Sequence, residues 1–150
     1  MSIYINRLNG GNITIGSGGG SSEHSDTRFT LEGGTVETHD ITGTLDQQWM
    51  IDNGYWNEDD EEWIKIITQA DIGNTVTNIG YRALARAERM MSVTIPNSVT
   101  SIGKFAFSDC YELTSVTIPD SVTSIRENAF YNCDSLTNVT IPNSVTSIEE

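Results

Sequence analysis

Few residues in this chain have the types and spacing that chemistry needs. The densest group is acidic: Asp52-Asn53-Gly54 followed by Glu58-Asp59-Asp60-Glu61-Glu62. Carboxylate and amide oxygens gathered over so short a span suit a hard cation such as calcium. The spacing does not fit a helix–loop–helix calcium site, because Gly54 and Trp56 stand where that loop supplies oxygen ligands. An acidic run reads first as a solvated loop. Asp52, Glu58, Asp59 and Asp60 are therefore weak metal candidates, and no cofactor is expected. The two imidazoles, His24 and His39, are far apart in the sequence, and each reads as a surface histidine rather than a ligand or a base. Gly16-Ser17-Gly18-Gly19-Gly20 resembles a phosphate loop but lacks the Lys-Ser/Thr that completes one, and no apolar helix follows it. No carboxylate pair, serine triad or ligand cluster is left to support an enzyme.

The two cysteines point to something larger. Cys110 and Cys133 are separated by one period of a 23-residue phrase. Residues 91–113 read MSVTIPNSVTSIGKFAFSDCYEL, residues 114–136 read TSVTIPDSVTSIRENAFYNCDSL, and residues 137–150 begin a third copy. Residues 68–90 are a degenerate first copy, with Val76, Ile79, Gly80, Ala83 and Met90 one period before Val99, Ile102, Gly103, Ala106 and Leu113. A fixed period of this length predicts a solenoid whose coils bury their apolar sides against one another. The cysteines then stack on adjacent coils, within bridging distance. A disulfide or reactive thiol is the chemical reading; a reduced pair packed as small apolar side chains is favoured.

Each copy divides into segments. In residues 114–118, Val116 and Ile118 alternate with Ser115 and Thr117, the period of a half-buried strand. Pro119-Asp120, like Pro96-Asn97 and Pro142-Asn143, then makes a turn. Val122 and Ile125 form a second inward-facing segment, and Ala129, Phe130, Cys133 and Leu136 follow at three- and four-residue spacing, which predicts a short helical turn. Phe107 and Phe130 are expected to stack as a core ladder.

The phrase LTSVTIPDSVTSIRENAFYNC, residues 113–133, resembles the BspA-like leucine-rich repeat known from bacterial surface antigens. The resemblance covers residues 68–150; strand, Pro turn, V-T-S-I, A-F and Cys recur in order. The departures are Gly73 for the repeat proline and Arg86-Ala87 in place of Asp109-Cys110. The resemblance implies display and binding, with no catalytic residues, since family members are implicated in adhesion and similar repeats occur in gut bacteria and their phages. The fold expected is an α+β repeat: a leucine-rich-repeat solenoid with a short helical turn per copy and an N-terminal hairpin and short-helix cap.

The formal charge of −13 excludes a basic footprint for nucleic acid and disfavours anionic membrane surfaces. Residues 1–63 hold twelve acidic and two basic side chains, against nine and six in residues 64–150. No stretch is long and apolar enough to insert into a membrane. The start, MSIYINRLNGGNITIG, has no basic segment followed by an apolar run, so no secretory signal is read in it. A virion or extracellular surface is the expected location, with a cytoplasmic one left open.

Before the repeats, Ile3, Ile5, Ile13 and Ile15 alternate with polar residues about Asn9-Gly10-Gly11-Asn12, a hairpin signal over residues 1–15. Residues 16–26 follow as a Gly/Ser-rich linker. A lone hairpin is marginal in water, so this arm must dock on the chain, a second copy or an assembly. Residues 27–67 read as a capping region. Phe29 and Leu31, then Val36 and Ile41, flank Gly33-Gly34 as a second hairpin. Thr44-Leu45-Asp46-Gln47 is a capping-box pattern opening a short helix that carries Leu45, Trp49 and Met50 and stops at Asn53-Gly54. At the other end the third copy stops at Ile148-Glu149-Glu150, an end expected to be frayed, truncated or completed by another chain.

On the solvent side, Ser92, Ser115 and Asn138 should align beside Thr94, Thr117 and Thr140, and Tyr111 and Tyr131 are the aromatics best placed to anchor a partner. Such rows serve solubility and strand propensity, or form a flat uncharged face for a protein or a glycan. Two functions follow. One is a structural or attachment component of an extracellular particle, such as a phage fibre or decoration protein, anchored by residues 1–22. The other is an adhesin-type binding module of a bacterial surface; a cytosolic scaffold is a third. A homo-oligomer through residues 1–22 or the open C-terminal repeat accompanies the first.

Overall fold

The computed structural model describes residues 4–5, 24–57, 62–63 and 66–148. Ile3, Ile13, Ile15, Glu58, Asp59, Asp60 and residues 16–22 lie outside the described residues. The elements run β1 (Tyr4–Ile5), β2 (Thr27–Leu31), β3 (Val36–His39), β4 (Gly43–Leu45), α1 (Gln47–Asp52), β5 (Trp56–Asn57), β6 (Glu62–Trp63), β7 (Ile67–Asp71) and β8 (Val76–Ile79). They continue as β9 (Ser92–Thr94), β10 (Ser101–Ile102), β11 (Ser115–Thr117), β12 (Ser124–Ile125), β13 (Asn138–Thr140) and β14 (Ser147–Ile148).

The repeat sets the register. Parallel pairing aligns Ala70, Val93, Val116 and Val139 in one sheet, and Ile79, Ile102, Ile125 and Ile148 in the other. The first sheet has seven strands in the order β1-β3-β2-β7-β9-β11-β13, and the second has five in the order β14-β12-β10-β8-β4. Stacking identical positions puts like side chains in contact, so each copy completes its neighbour's core. The rings of Phe107 and Phe130 lie 5.2 Å apart and 8° from parallel, the expected ladder. Between the sheets, Val99, Val122 and Val145 each donate their N–H to the proline three residues earlier, at 3.1, 3.0 and 3.1 Å.

The third segment of each coil is built of turns, not the short helix that its spacing predicted; α1 is the only helix among the described residues. Apolar residues three and four apart serve successive tight turns as well as they serve a helix. The distinguishing feature is a left-handed backbone residue twice per copy: Arg82 and Arg86, Phe105 and Asp109, Asn128 and Asn132, with φ between 49° and 60°. These residues swing alternate N–H groups toward the next coil. Phe105, Phe107 and Asp109 donate to Glu127, Ala129 and Tyr131 at 3.1, 2.8 and 2.7 Å, forming a third inter-coil ladder.

The N-terminal residues extend both sheets. β2 and β3 form the expected antiparallel hairpin, and β2 pairs with β7. β4 pairs with β8, so residues 24–57 share one core cluster with the repeats, including Phe29, Leu45, Met50 and Tyr55. The helix cap differs from the expected box. Thr44 belongs to β4, and Asp46 is the N-cap, its carboxylate accepting from Trp49 N at 3.0 Å. Gly73 also finds its reason: a Cβ there would lie 2.1 Å from Ser25 O, and the Gly73 N–H donates to the buried Thr27 hydroxyl at 3.0 Å. Proline would clash and has no N–H to donate. β1 pairs in parallel with β3, Tyr4 opposite Val36 and Ile5 opposite Glu37, which places this part of the arm on the chain's own sheet.

Candidate functional site

The repeated hydroxyls fall into two kinds. Ser98, Ser121 and Ser144 donate to the carbonyls of Val76, Val99 and Val122 at 2.6, 2.6 and 2.8 Å. Thr100, Thr123 and Thr146 donate to the carbonyls of Thr77, Thr100 and Thr123 at 3.3, 3.3 and 3.4 Å. Both rows tie one coil to the preceding one. The row of Thr94, Thr117 and Thr140 is different: its hydroxyls make no hydrogen bond with another described residue, and all three side chains face solvent. Strand register aligns them, with Ser92, Ser115 and Asn138 alongside. A groove of about 430 Å³ runs past Thr94 and Thr117 to the turn residues Asn97 and Asp120.

Tyr111 and Tyr131 are exposed, but they belong to the turn segment and not to the strands that carry the threonines. The residues grouped from sequence therefore separate onto different segments of the coil. Asp52 ends α1 and accepts from Gln48 at 2.9 Å. Among the described residues, no three of His, Cys, Asp and Glu gather as a metal site would require.

Cys110 and Cys133 are free thiols on adjacent coils. Cys110 Sγ donates to Leu84 O at 3.2 Å and Cys133 Sγ to Phe107 O at 3.1 Å. The hydrogen bond shared with Cys133, and then burial, push the Cys110 thiol well above its ordinary range. Cys110 is thus a packed thiol and a poor nucleophile.

The histidines are half-buried rather than on the surface. His24 Nε2 lies 2.8 Å from Asp71 Oδ2, where residues 24–27 clip onto the first copy. His39 packs against Phe29, Trp49 and Tyr55. The Tyr55 hydroxyl donates to Glu37 and lies 2.5 Å from His39 Nε2. Burial and then the Glu37 carboxylate push the Tyr55 phenol far above its ordinary range, so this group holds the second hairpin against α1 and β5. The tertiary contact across residues 37–55 was invisible to a reading of neighbours in sequence. Of the bulky residues at left-handed positions, Arg82 and Phe105 were passed over, and Arg86 was noted only as a departure from the repeat. Their signal was present: the copy at residues 114–136 carries asparagine at both equivalent positions, Asn128 and Asn132.

The family model of the BspA type leucine-rich repeat region (6 copies) matches residues 63–150. The chain belongs to the BspA-type leucine-rich repeat family. A leucine-rich repeat protein from Bacteroides ovatus is similar at 31% identity and a TM-score of 0.53, over 55% of this chain and 22% of that one. The T. pallidum leucine-rich repeat protein is similar at 32% identity and a TM-score of 0.49, over 51% of this chain and 36% of that one. This chain therefore spans less than two fifths of either relative. No curated protein matches it. Leucine-rich-repeat solenoids are extended surfaces for protein interaction, and among the described residues no helix is long and apolar enough to cross a membrane.

Proposed function

We propose that this chain is a non-enzymatic interaction module that presents the Thr94, Thr117 and Thr140 face to a protein partner at an extracellular surface. The observation that carries this reading is the division among the repeated hydroxyls. Two rows are used between coils, and the third faces solvent beside a groove large enough for partner side chains. A flat face of short polar side chains meets a partner without desolvating a charge, which is the costly part of association.

The finer setting is an attachment component of an extracellular particle, of phage fibre or decoration type, held through residues 1–22. The pairing of β1 with β3 counts against it, because Tyr4 and Ile5 are then occupied in the chain's own sheet. Membership of a repeat family known from bacterial surface antigens supports the second setting, an adhesin-type module. Light scattering on the full chain and on a version lacking residues 1–22 separates them. An oligomer lost on deletion favours the particle component, whereas a monomer in both rules out assembly through the arm and favours the adhesin. For the face itself, the labelled protein is expected to bind intact host cells and to lose binding when Thr94 and Thr117 are both changed to Lys. Undiminished binding by that variant sinks the assignment of the threonine face.

A further inference from the structure

Cys110 and Cys133 are chemically unlike although the repeat makes them equivalent. Cys110 is fully enclosed, whereas Cys133 is only half-buried. The copy at residues 68–90 carries Ala87 at this position, so the two sulfurs have only each other as thiol neighbours. Backbone bonds hold the two coils in register on both sides of the pair: Asp109 N donates to Tyr131 O at 2.7 Å, and Ser135 N to Tyr111 O at 3.2 Å. Chains joined by such bonds run about 4.8 Å apart, within the Cα separation that a disulfide spans. The nearly parallel rings of Phe107 and Phe130 fix the same stacking just before the pair.

The contacts divide the roles. Each sulfur donates to a carbonyl of the preceding coil, Cys110 to Leu84 O at 3.2 Å and Cys133 to Phe107 O at 3.1 Å. The two thiols also share a hydrogen bond, and the Cys110 backbone N–H points to the Cys133 sulfur. When Cys133 loses its proton, the Cys110 S–H turns from Leu84 O to the new anion. That bond holds the Cys133 thiol below its ordinary range, against burial and the carboxylates of Asp109 and Asp134. The more exposed sulfur is therefore also the one better able to become a thiolate, the reactive form. An accessible thiolate beside a second, buried thiol is the arrangement in which one cysteine meets an oxidant and its neighbour resolves the product.

We infer that Cys133 is a site of oxidation by hydroperoxides and that Cys110 resolves it, forming a reversible disulfide between the copies at residues 91–113 and 114–136. First, the Cys133 thiolate attacks the terminal peroxide oxygen and the O–O bond breaks. The sulfur is oxidised to a sulfenic acid, and the reduced peroxide leaves as water or an alcohol after taking the proton that Cys133 released. Then the Cys110 sulfur attacks the Cys133 sulfur, the S–O bond breaks, and hydroxide leaves with the Cys110 proton as water. Holding the two sulfurs in contact offsets the poor nucleophilicity of Cys110. The product ties the two copies covalently at the turn segment, and a thiol reductant restores both cysteines. The inference stands on the thiol pair and is independent of the threonine face.

The test is exposure of the reduced full chain to equimolar hydrogen peroxide, followed by intact mass, peptide mapping and non-reducing electrophoresis. The expected product is a single chain lighter by two hydrogens, with Cys110 joined to Cys133 and a higher thermal midpoint that dithiothreitol reverses. Cys110→Ala, which installs the residue that the copy at residues 68–90 uses, should stop at a Cys133 sulfenic acid trapped by dimedone. Cys133→Ala should keep its Cys110 thiol under the same treatment. Cys110→Ser and Cys133→Ser replace the alanine variants should these fold poorly, and the mapping of the unchanged chain needs no variant. Survival of both thiols, a disulfide between chains, dimedone on Cys110 rather than Cys133, or oxidation of Cys133 to a sulfinic acid with Cys110 unchanged overturns the inference.

Discussion

The two ends of the solenoid place the same repeat positions in opposite environments. At the first copy, Ala70, Val76 and Ile79 are fully buried beneath residues 24–57. At the last described coil, the equivalents Val139 and Ile148 are 40% and 58% exposed. One sequence motif thus yields a core residue or a surface residue according to whether a neighbouring coil covers it. Burial in a repeat protein belongs to the interface between copies and not to the copy.

The largest effect that would sharpen this contrast comes from truncating the ladder in the middle and at its end. Ile102→Ala should cost roughly 2–5 kcal/mol in denaturant unfolding, since this side chain, in register with Ile148, is fully enclosed. Ile148→Ala should cost under about 0.5 kcal/mol, as an exposed site does. Similar losses at the two sites would mean that the open end is covered in solution.

The covered end makes its own prediction. Restoring the repeat proline with Gly73→Pro places ring atoms against the Ser25 carbonyl and removes the N–H donated to Thr27. A loss of roughly 2–3 kcal/mol is expected, combining overpacking with an unpaired buried hydroxyl. A neutral or stabilising result would show that residues 24–27 do not clip onto the first copy. The smallest contrast lies between two hydroxyl rows. Ser121→Ala should cost about 1 kcal/mol through its lost bond to Val99 O, whereas Thr117→Ser, which keeps the face polar, should leave stability unchanged within about 0.5 kcal/mol. Equal costs would remove the distinction on which the threonine face rests.

Legibility followed the range of each interaction. Register, the Phe107–Phe130 stack and the alignment of Thr94, Thr117 and Thr140 could all be read directly, because the period assigns each residue its neighbour. The turn segment was misread as helical, because three- and four-residue spacing does not report the sign of φ. The cap was placed at Thr44 rather than Asp46, because β4 claims Thr44 for its pairing with Asn78. The Glu37–Tyr55–His39 group joins elements that share no period, so no spacing rule could bring it together.

By itself the sequence determined the solenoid, its register and the identity of its core rows, because a fixed period converts neighbours in space into neighbours one repeat apart. Only the tertiary structure decided which copies are covered, why Gly73 replaces a proline, and where Glu37, His39 and Tyr55 meet. Those outcomes depend on contacts between the periodic region and the non-periodic residues before it, and such contacts are set by how the two surfaces fit.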